Sequence, residues 1–324
     1  VYLMDKNNQL ETAPIGKLVF KLAIPTVMAQ LVNLLYNIVD RIYVGRIPEI
    51  GSLSLAGLGV TFPIILLVSA FAMLAGMGGA SRAAVSMGEK DNDKAEKILG
   101  NCTMLLIIFS VVLAVVFMLT KNQILMKFGA SEATLPYASD YISIYLVGTI
   151  FVQIALGLNL FITNQGFAKT SMMTVCIGAV LNIVLDPIFI YVFGMGVKGA
   201  ALATIISQGV SCLWVLKFLT GKKTVLKNLV LDGKIVTSVL SLGVSPFIMQ
   251  ATECLIQLTF NNGMLKYGND LYVALMSILF SLTQLIWMPL NGFSQGAQPV
   301  IGYNYGAKRF DRVKKAFKLP FTVS

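Results

Sequence analysis

The stretch GGASRAAVSMGEKDNDKAEK, Gly78–Lys97, returns 218 residues later as GAQPVIGYNYGAKRFDRVKK, Gly296–Lys315. In each copy a run of small residues meets a Gly, then a Lys two positions on, then an Asp, then a basic amphipathic stretch. A second match lies upstream, where LAIPTVMAQ (Leu22–Gln30) answers LGVSPFIMQ (Leu242–Gln250) at a shift of 220. Chance similarity between apolar segments does not explain the first match, because much of it falls on polar loop positions. The chain is therefore read as an internal repeat, and the repeat decides the architecture.

The repeated material is membrane protein. Apolar residues make up 56% of the 324, charged residues 12%, and mean hydropathy is +0.78, outside the usual range of soluble domains. A membrane-crossing helix needs about 20 mostly apolar residues. Eight segments meet this, near 17–44, 53–86, 99–119, 138–163, 170–194, 198–219, 236–262 and 270–300. Six of them fit in one repeat unit, and an even number returns the chain to its starting side. The two halves are thus expected to run parallel, related by an axis along the membrane normal. The predicted fold is an all-α polytopic bundle of two six-helix lobes. Residues 1–220 form the amino-terminal lobe. Residues 221–324 form a partial carboxyl-terminal lobe holding helices seven, eight and the start of nine. By the repeat's own logic a complete second half needs roughly 120 further residues, so the chain is expected to be truncated at its carboxyl end.

The net charge of +10 follows topology and not nucleic-acid binding. With the amino terminus inside, only Arg41, Arg46, Lys121, Lys127, Lys198 and Lys266 of the 25 basic residues fall on outer segments. That asymmetry is the positive-inside pattern and predicts a multi-pass protein of the cytoplasmic membrane with a cytoplasmic amino terminus. Cys102, Cys176, Cys212 and Cys254 sit in apolar segments without paired spacing and read as core residues. The chain has no histidine, which removes imidazole metal ligands, His-activated nucleophiles and His proton relays together. Proton chemistry must use carboxylates, and neither cofactor nor metal cluster is expected.

Within the helices, polar residues keep helical spacing. Gln30, Asn33, Asn37 and Asp40 share one face of the first helix. Such groups are costly against lipid, so they are expected to face protein or a water-filled cavity. The seventh helix carries Gln250, Glu253 and Gln257, and the eighth carries Ser277, Ser281, Gln284, Asn291, Gln295 and Gln298. Both halves thus turn polar faces inward, toward a central pathway. In the fifth helix, LNIVLDPIFIY sets Asn182 and Asp186 at i and i+4, with Pro187 directly after the acid. Proline frees a backbone carbonyl, so carboxylate, amide and loosened backbone converge on a site for Na⁺ or a proton. The alternative is a proline-kinked helix whose Asp ends a hydrogen-bond network. Thr204, Ser207, Gln208 and Ser211 add hydroxyl and amide groups from the sixth helix. Arg41 reads as a snorkelling side chain at the outer end of the first helix.

The motifs NLLYNIVDRIYVG, GMGGASRAAVSMGEKDNDKAEK, LNIVLDPIFIYVFGMGVKGAALATIISQ and QGAQPVIGYNYGAKRFDRVKKA together resemble the multidrug and toxic compound extrusion (MATE) family, in its DinF-like prokaryotic branch. The resemblance implies twelve helices, a V-shaped cavity and alternating access, with export of cationic organic compounds by a monomer in exchange for H⁺ or Na⁺. Matched residue by residue, its cation site falls on Asp40, Asn182, Asp186 and Thr204. Its substrate cavity takes Gln30, Asn33, Tyr36, Asn37, Glu253, Gln257 and Gln284. Loading of the site is expected to bend or straighten the first helix at Pro25. Two other readings are a flippase for lipid-linked saccharides, which wants inward-facing Arg for pyrophosphate, and an intramembrane aspartyl enzyme. The helices have almost no such Arg, and no loop carries a catalytic Gly-Asp signature.

Overall fold

The computed structural model describes residues 9–221, 229–267 and 270–323, and among these it is helical throughout, with no strand. The helices are α1 (Ile15–Gly45), α2 (Gly51–Gly88), α3 (Asn92–Lys127), α4 (Leu135–Val147), α5 (Thr149–Asn164), α6 (Ala168–Pro187), α7 (Val197–Leu219), α8 (Gly233–Tyr267), α9 (Asp270–Gly306) and α10 (Phe310–Val323). Among the described residues six helices are long and apolar enough to cross a membrane, and α4 with α5 forms a seventh, bent span. Large apolar side chains cover the outside of the bundle, Leu119, Val147 and Val192 being 81%, 74% and 75% exposed. In water such a surface would be an aggregation liability; in a bilayer it is the lipid-facing wall.

The repeat is visible in the backbone. Lys90 and Lys308, equivalent at the 218 shift, both adopt the left-handed conformation, with φ of 65° and 57°. The helices of the two copies also meet reciprocally. A Cβ on Gly88 would lie 2.0 Å from the carbonyl oxygen of Tyr303, and a Cβ on Gly306 would lie 2.0 Å from that of Val85. The 218 shift converts one contact into the other. Likewise Gly296 meets Ala23 while Gly78 meets Gly243, again one pair mapped onto the other. Two helices of like sequence can approach this closely only where side chains vanish, so the glycines set the crossing of α2 with α9 on the face where the chain's amino-terminal residues lie.

That face is tied down further. Thr26, next to Pro25, gives its hydroxyl to its own helix and to the carbonyl of Gly292 at 2.6 Å. Gln30 Nε2 donates to Gln295 Oε1 at 3.3 Å. Arg312 donates to Asn304 Oδ1 and to the carbonyls of Leu10 and Ala13, which straps the amino-terminal segment over the ends of α9 and α10. Buried Leu10, Leu18, Leu22, Val300 and Tyr303 fill the space beneath. On this face the two halves are closed against one another.

Two local features differ from the sequence reading. The fourth span is not one helix: α4 and α5 meet at Gly148 with a 60° bend. A Cβ there would collide with the Ile205 side chain at 2.3 Å, so the bend seats α7 against the break. Gln153, fully buried in α5, donates to the carbonyl of Val68 at 2.8 Å and pins the second half to α2. Arg41 does more than snorkel, since its guanidinium lies 5.4 Å from the centroid of the Phe62 ring, a cation–π geometry. Lys266, Ser277 and Ser281 have side chains outside the described residues, as do Lys6, Lys222, Lys223 and Lys227 altogether.

The reciprocal crossing generates a paired expectation. Gly88→Ala and Gly306→Ala should each cost about 1–3 kcal/mol by overpacking, and by similar amounts. Gly233→Ala, where nothing lies within 4 Å, should be neutral. Thermal unfolding of the detergent-purified protein, followed by a thiol-reactive dye, measures all three. A neutral Gly306→Ala beside a destabilising Gly88→Ala would contradict the two-fold packing.

Candidate functional site

Near the opposite face, three helices bring polar groups into one buried cluster. α1 places Asp40 five residues before its end, and α6 places Asn182 and Asp186 one turn apart just before Pro187. Proline ends the regular ladder of α6, and the chain continues as a single π-turn over Ile188–Val192, a departure that often accompanies functional sites. Gly194 and Gly196, at φ of 64° and 56°, then turn the chain into α7, which brings Thr204 alongside. Tyr191 donates its hydroxyl to the carbonyl of Tyr43 at 2.6 Å, fastening the end of α6 to the end of α1 and holding the two acids at one level.

Asp186 is fully buried, Asn182 is 2% exposed and Asp40 is 9% exposed. Asn182 Nδ2 donates to Asp186 Oδ1 at 3.2 Å and to Thr204 Oγ1 at 3.4 Å, while Thr204 Oγ1 donates to the carbonyl of Ala200 at 3.0 Å. The carboxyl groups of Asp40 and Asp186 belong to the same buried cluster and lie near enough to interact electrostatically. Three oxygens, Asp40 Oδ1, Asn182 Oδ1 and Asp186 Oδ2, are buried with no hydrogen-bond donor. Buried acceptors are normally paired, and two neighbouring carboxylates repel unless a proton or a cation lies between them. All four residues matched to a cation site in the sequence thus meet in one place, with acceptor capacity to spare. Two acids with neutral amide and hydroxyl oxygens form a donor set suited to a hard monovalent cation or a proton.

The residues matched to a substrate cavity are more dispersed. Asn33 and Tyr36 line a cavity of ≈ 50 Å³ inside the first lobe, together with Asn182 and Thr204. Asn37 donates back to the carbonyl of Asn33 at 2.7 Å, and Gln30 joins Gln295 in the seam between halves. On α8 Gln257 is buried and Glu253 exposed, while Gln284 on α9 is half-buried; none of the three lines that cavity. Sequence reasoning missed Tyr141 of α4, which is buried near Asp40 and Thr204. It also missed Asn159 and Thr174, which line the cavity. A lone tyrosine in an apolar helix carries no signal of its own. Asn159, an amide within ALGLNLFITN, did carry one.

Comparison with known proteins finds relatives along most of the chain. The MatE family model matches residues 25–188 and 246–324. The multidrug export protein MepA of Staphylococcus haemolyticus is 28% identical over 321 residues, covering 97% of this chain and 70% of that protein. Among solved structures, the MATE multidrug transporter DinF-BH is 33% identical with a TM-score of 0.90, covering 97% of this chain and 70% of its own. A MATE in the bent conformation is 26% identical with a TM-score of 0.86, covering 98% and 71%. With the family model spanning most of its length and with these relatives alike in fold, the chain belongs to the MatE family, the multidrug and toxic compound extrusion transporters.

Proposed function

We propose that the protein is a cation-coupled multidrug antiporter, in which a proton or Na⁺ shared by Asp40 and Asp186 drives export of organic cations by alternating access. The observation that carries this reading is the set of three buried acceptor oxygens without donors, Asp40 Oδ1, Asn182 Oδ1 and Asp186 Oδ2, in one cluster that holds two interacting acids. Without a cation the acids repel and α1 is pushed from α6; with one they hold together. Because α1 also packs on α9 through Thr26 and Gly292, a displacement at Asp40 reaches the seam between halves by way of Pro25. The membrane potential contributes about 2.3 kcal/mol per charge per 100 mV, enough to bias a two-state helix.

The basic residues support a cytoplasmic placement of the amino-terminal face. The structure is then closed on the cytoplasmic side, the geometry of a transporter releasing substrate outward. The names of the relatives, a multidrug export protein and a multidrug transporter, support a broad range of organic substrates for this chain.

Efflux of a fluorescent cationic dye from cells expressing the full-length protein tests the reading, with Na⁺ and pH varied separately. Asp40→Asn and Asp186→Asn should each lower efflux at least tenfold, and one gradient alone should drive the wild type. Dye leaving at the wild-type rate from both variants would make the carboxylates structural. Thr204→Val should be milder. Losing one neutral partner, about 1 kcal/mol, should raise the half-saturating concentration of the driving cation about fivefold with little change in maximal efflux.

A further inference from the structure

The ≈ 50 Å³ cavity begins beside the acids, at Asn182, which bonds Asp186. Its lining steps from Asn182 and Thr204 to Ser207 and Gly178, and then to Ser211, Thr174 and Asn159. At about 1.5 Å of rise per residue, Thr204 to Ser211 covers about 10 Å and Asp186 to Thr174 about 18 Å. The lining thus runs along α6 and α7 from the level of Asn182, one turn from Asp186, toward the amino-terminal face. Drug-sized ligands occupy pockets of about 300–1,000 Å³, so a drug does not fit. Water does, because one molecule needs about 10–15 Å³ of such volume, which leaves room for about three to five.

The walls ask for such an occupant. Asn159 Oδ1, Asn182 Oδ1 and Ser207 Oγ are buried without a partner, although Ser207 and Asn182 are each only 2% exposed. Leaving such groups unpaired costs about 1–3 kcal/mol apiece. At the lower end the remaining polar groups turn to the protein: Ser211 Oγ donates to the carbonyl of Thr174 at 3.1 Å, Asn159 Nδ2 to that of Ser171 at 3.2 Å, and Thr163 Oγ1 to Ser171 Oγ at 2.8 Å. Beyond them Phe167 and Phe218 meet edge to face at 5.2 Å, packed with buried Phe161, Val215 and Leu219.

We infer that this cavity is a hydrated antechamber by which the coupling cation leaves the acid pair toward the amino-terminal face, inside the first lobe, with the Phe167–Phe218 pair as its stopper. The inference rests on the coupling role proposed for Asp40 and Asp186. Neutral oxygens receive the ion, either Na⁺ itself or a proton passed along the water chain, and no bond other than hydrogen bonds and ion contacts is made or broken. The stopper keeps the chamber from short-circuiting the gradient while the opposite face is open. Export and ion release then use separate routes, so a bulky substrate in the cleft does not block the ion.

The test uses silver ion, a thiol-reactive monovalent cation, on the full-length protein with Cys102, Cys176, Cys212 and Cys254 replaced by Ala and Ser207→Cys introduced. Inside-out vesicles expose the amino-terminal face and right-side-out vesicles the other. The lobes are locked by bridging Gln30→Cys and Gln295→Cys with a short bifunctional reagent. Silver added to inside-out vesicles should protect Ser207→Cys from later labelling by a fluorescent maleimide in denaturant, even with the lobes locked. A bulky charged methanethiosulfonate should not protect it. Phe218→Ala should speed protection at least tenfold. Protection seen only from the opposite face, or lost on locking, overturns the antechamber. So does a Phe218→Ala variant that folds, by monodisperse elution, yet reacts at the unchanged rate. Asp186→Asn separates this from the coupling reading: it should abolish dye efflux while silver still reaches Ser207→Cys. Normal efflux with Asp186→Asn would sink the coupling role whatever silver does.

Discussion

Two acids buried in one cluster within a helix bundle form the constraint around which the amino-terminal half is organised. Asp40 and Asp186 come from helices far apart in sequence, and their proximity is held by features that would otherwise be unrelated. Pro187 and the π-turn after it end α6 at the level of Asp40. The Tyr191 bond to the Tyr43 carbonyl fixes the two helix ends together. Asn182 and Thr204 complete the ring from the inner side. Each oxygen left without a donor is a cost that a cation, a proton or water relieves, and in the proposed mechanism that relief ties ion occupancy to the spacing of α1 and α6.

The second constraint is mechanical. The two halves meet on the amino-terminal face through helices that touch backbone to backbone at glycines, in contacts that exchange under the repeat. At these glycines no side chain separates the backbones, which favours movement of packed halves as bodies over continuous deformation. The Thr26 and Gln30 bonds across the seam lie on α1, the same helix that carries Asp40. One helix thereby belongs to both the ion site and the closure between halves. This is the physical link the proposed antiport mechanism requires.

Much of this was legible in the chain. The repeat was carried by loop chemistry, and the structure adds a geometric signature that the pattern did not announce, a left-handed Lys at equivalent positions. Asn182 and Asp186 were legible because i and i+4 spacing in front of a proline puts both on one face. What the chain did not reveal depends on contacts between distant segments. The bend at Gly148 lies where Ile205 leaves no room for a Cβ, a contact between distant segments that nothing in the fourth segment announces. Tyr141 acquires its role only from lying beside Asp40. The stripe on α1 reads as one polar face, yet its members serve three different neighbours: Gln30 the seam, Asn33 the cavity, Asp40 the acid pair. Periodicity identifies a face; only packing assigns each residue on it.

The central claim is that Asp40 and Asp186 share a single cation or proton. Infrared difference spectroscopy of the purified full-length protein tests it, recording carboxyl bands on a step in pH or Na⁺ for the wild type, Asp40→Asn and Asp186→Asn. A shared site predicts that either single substitution removes or strongly shifts the whole carboxyl signal of the pair. Two independent acids would instead leave, in each variant, the other residue's band at its wild-type position and titration, and that result would contradict the account.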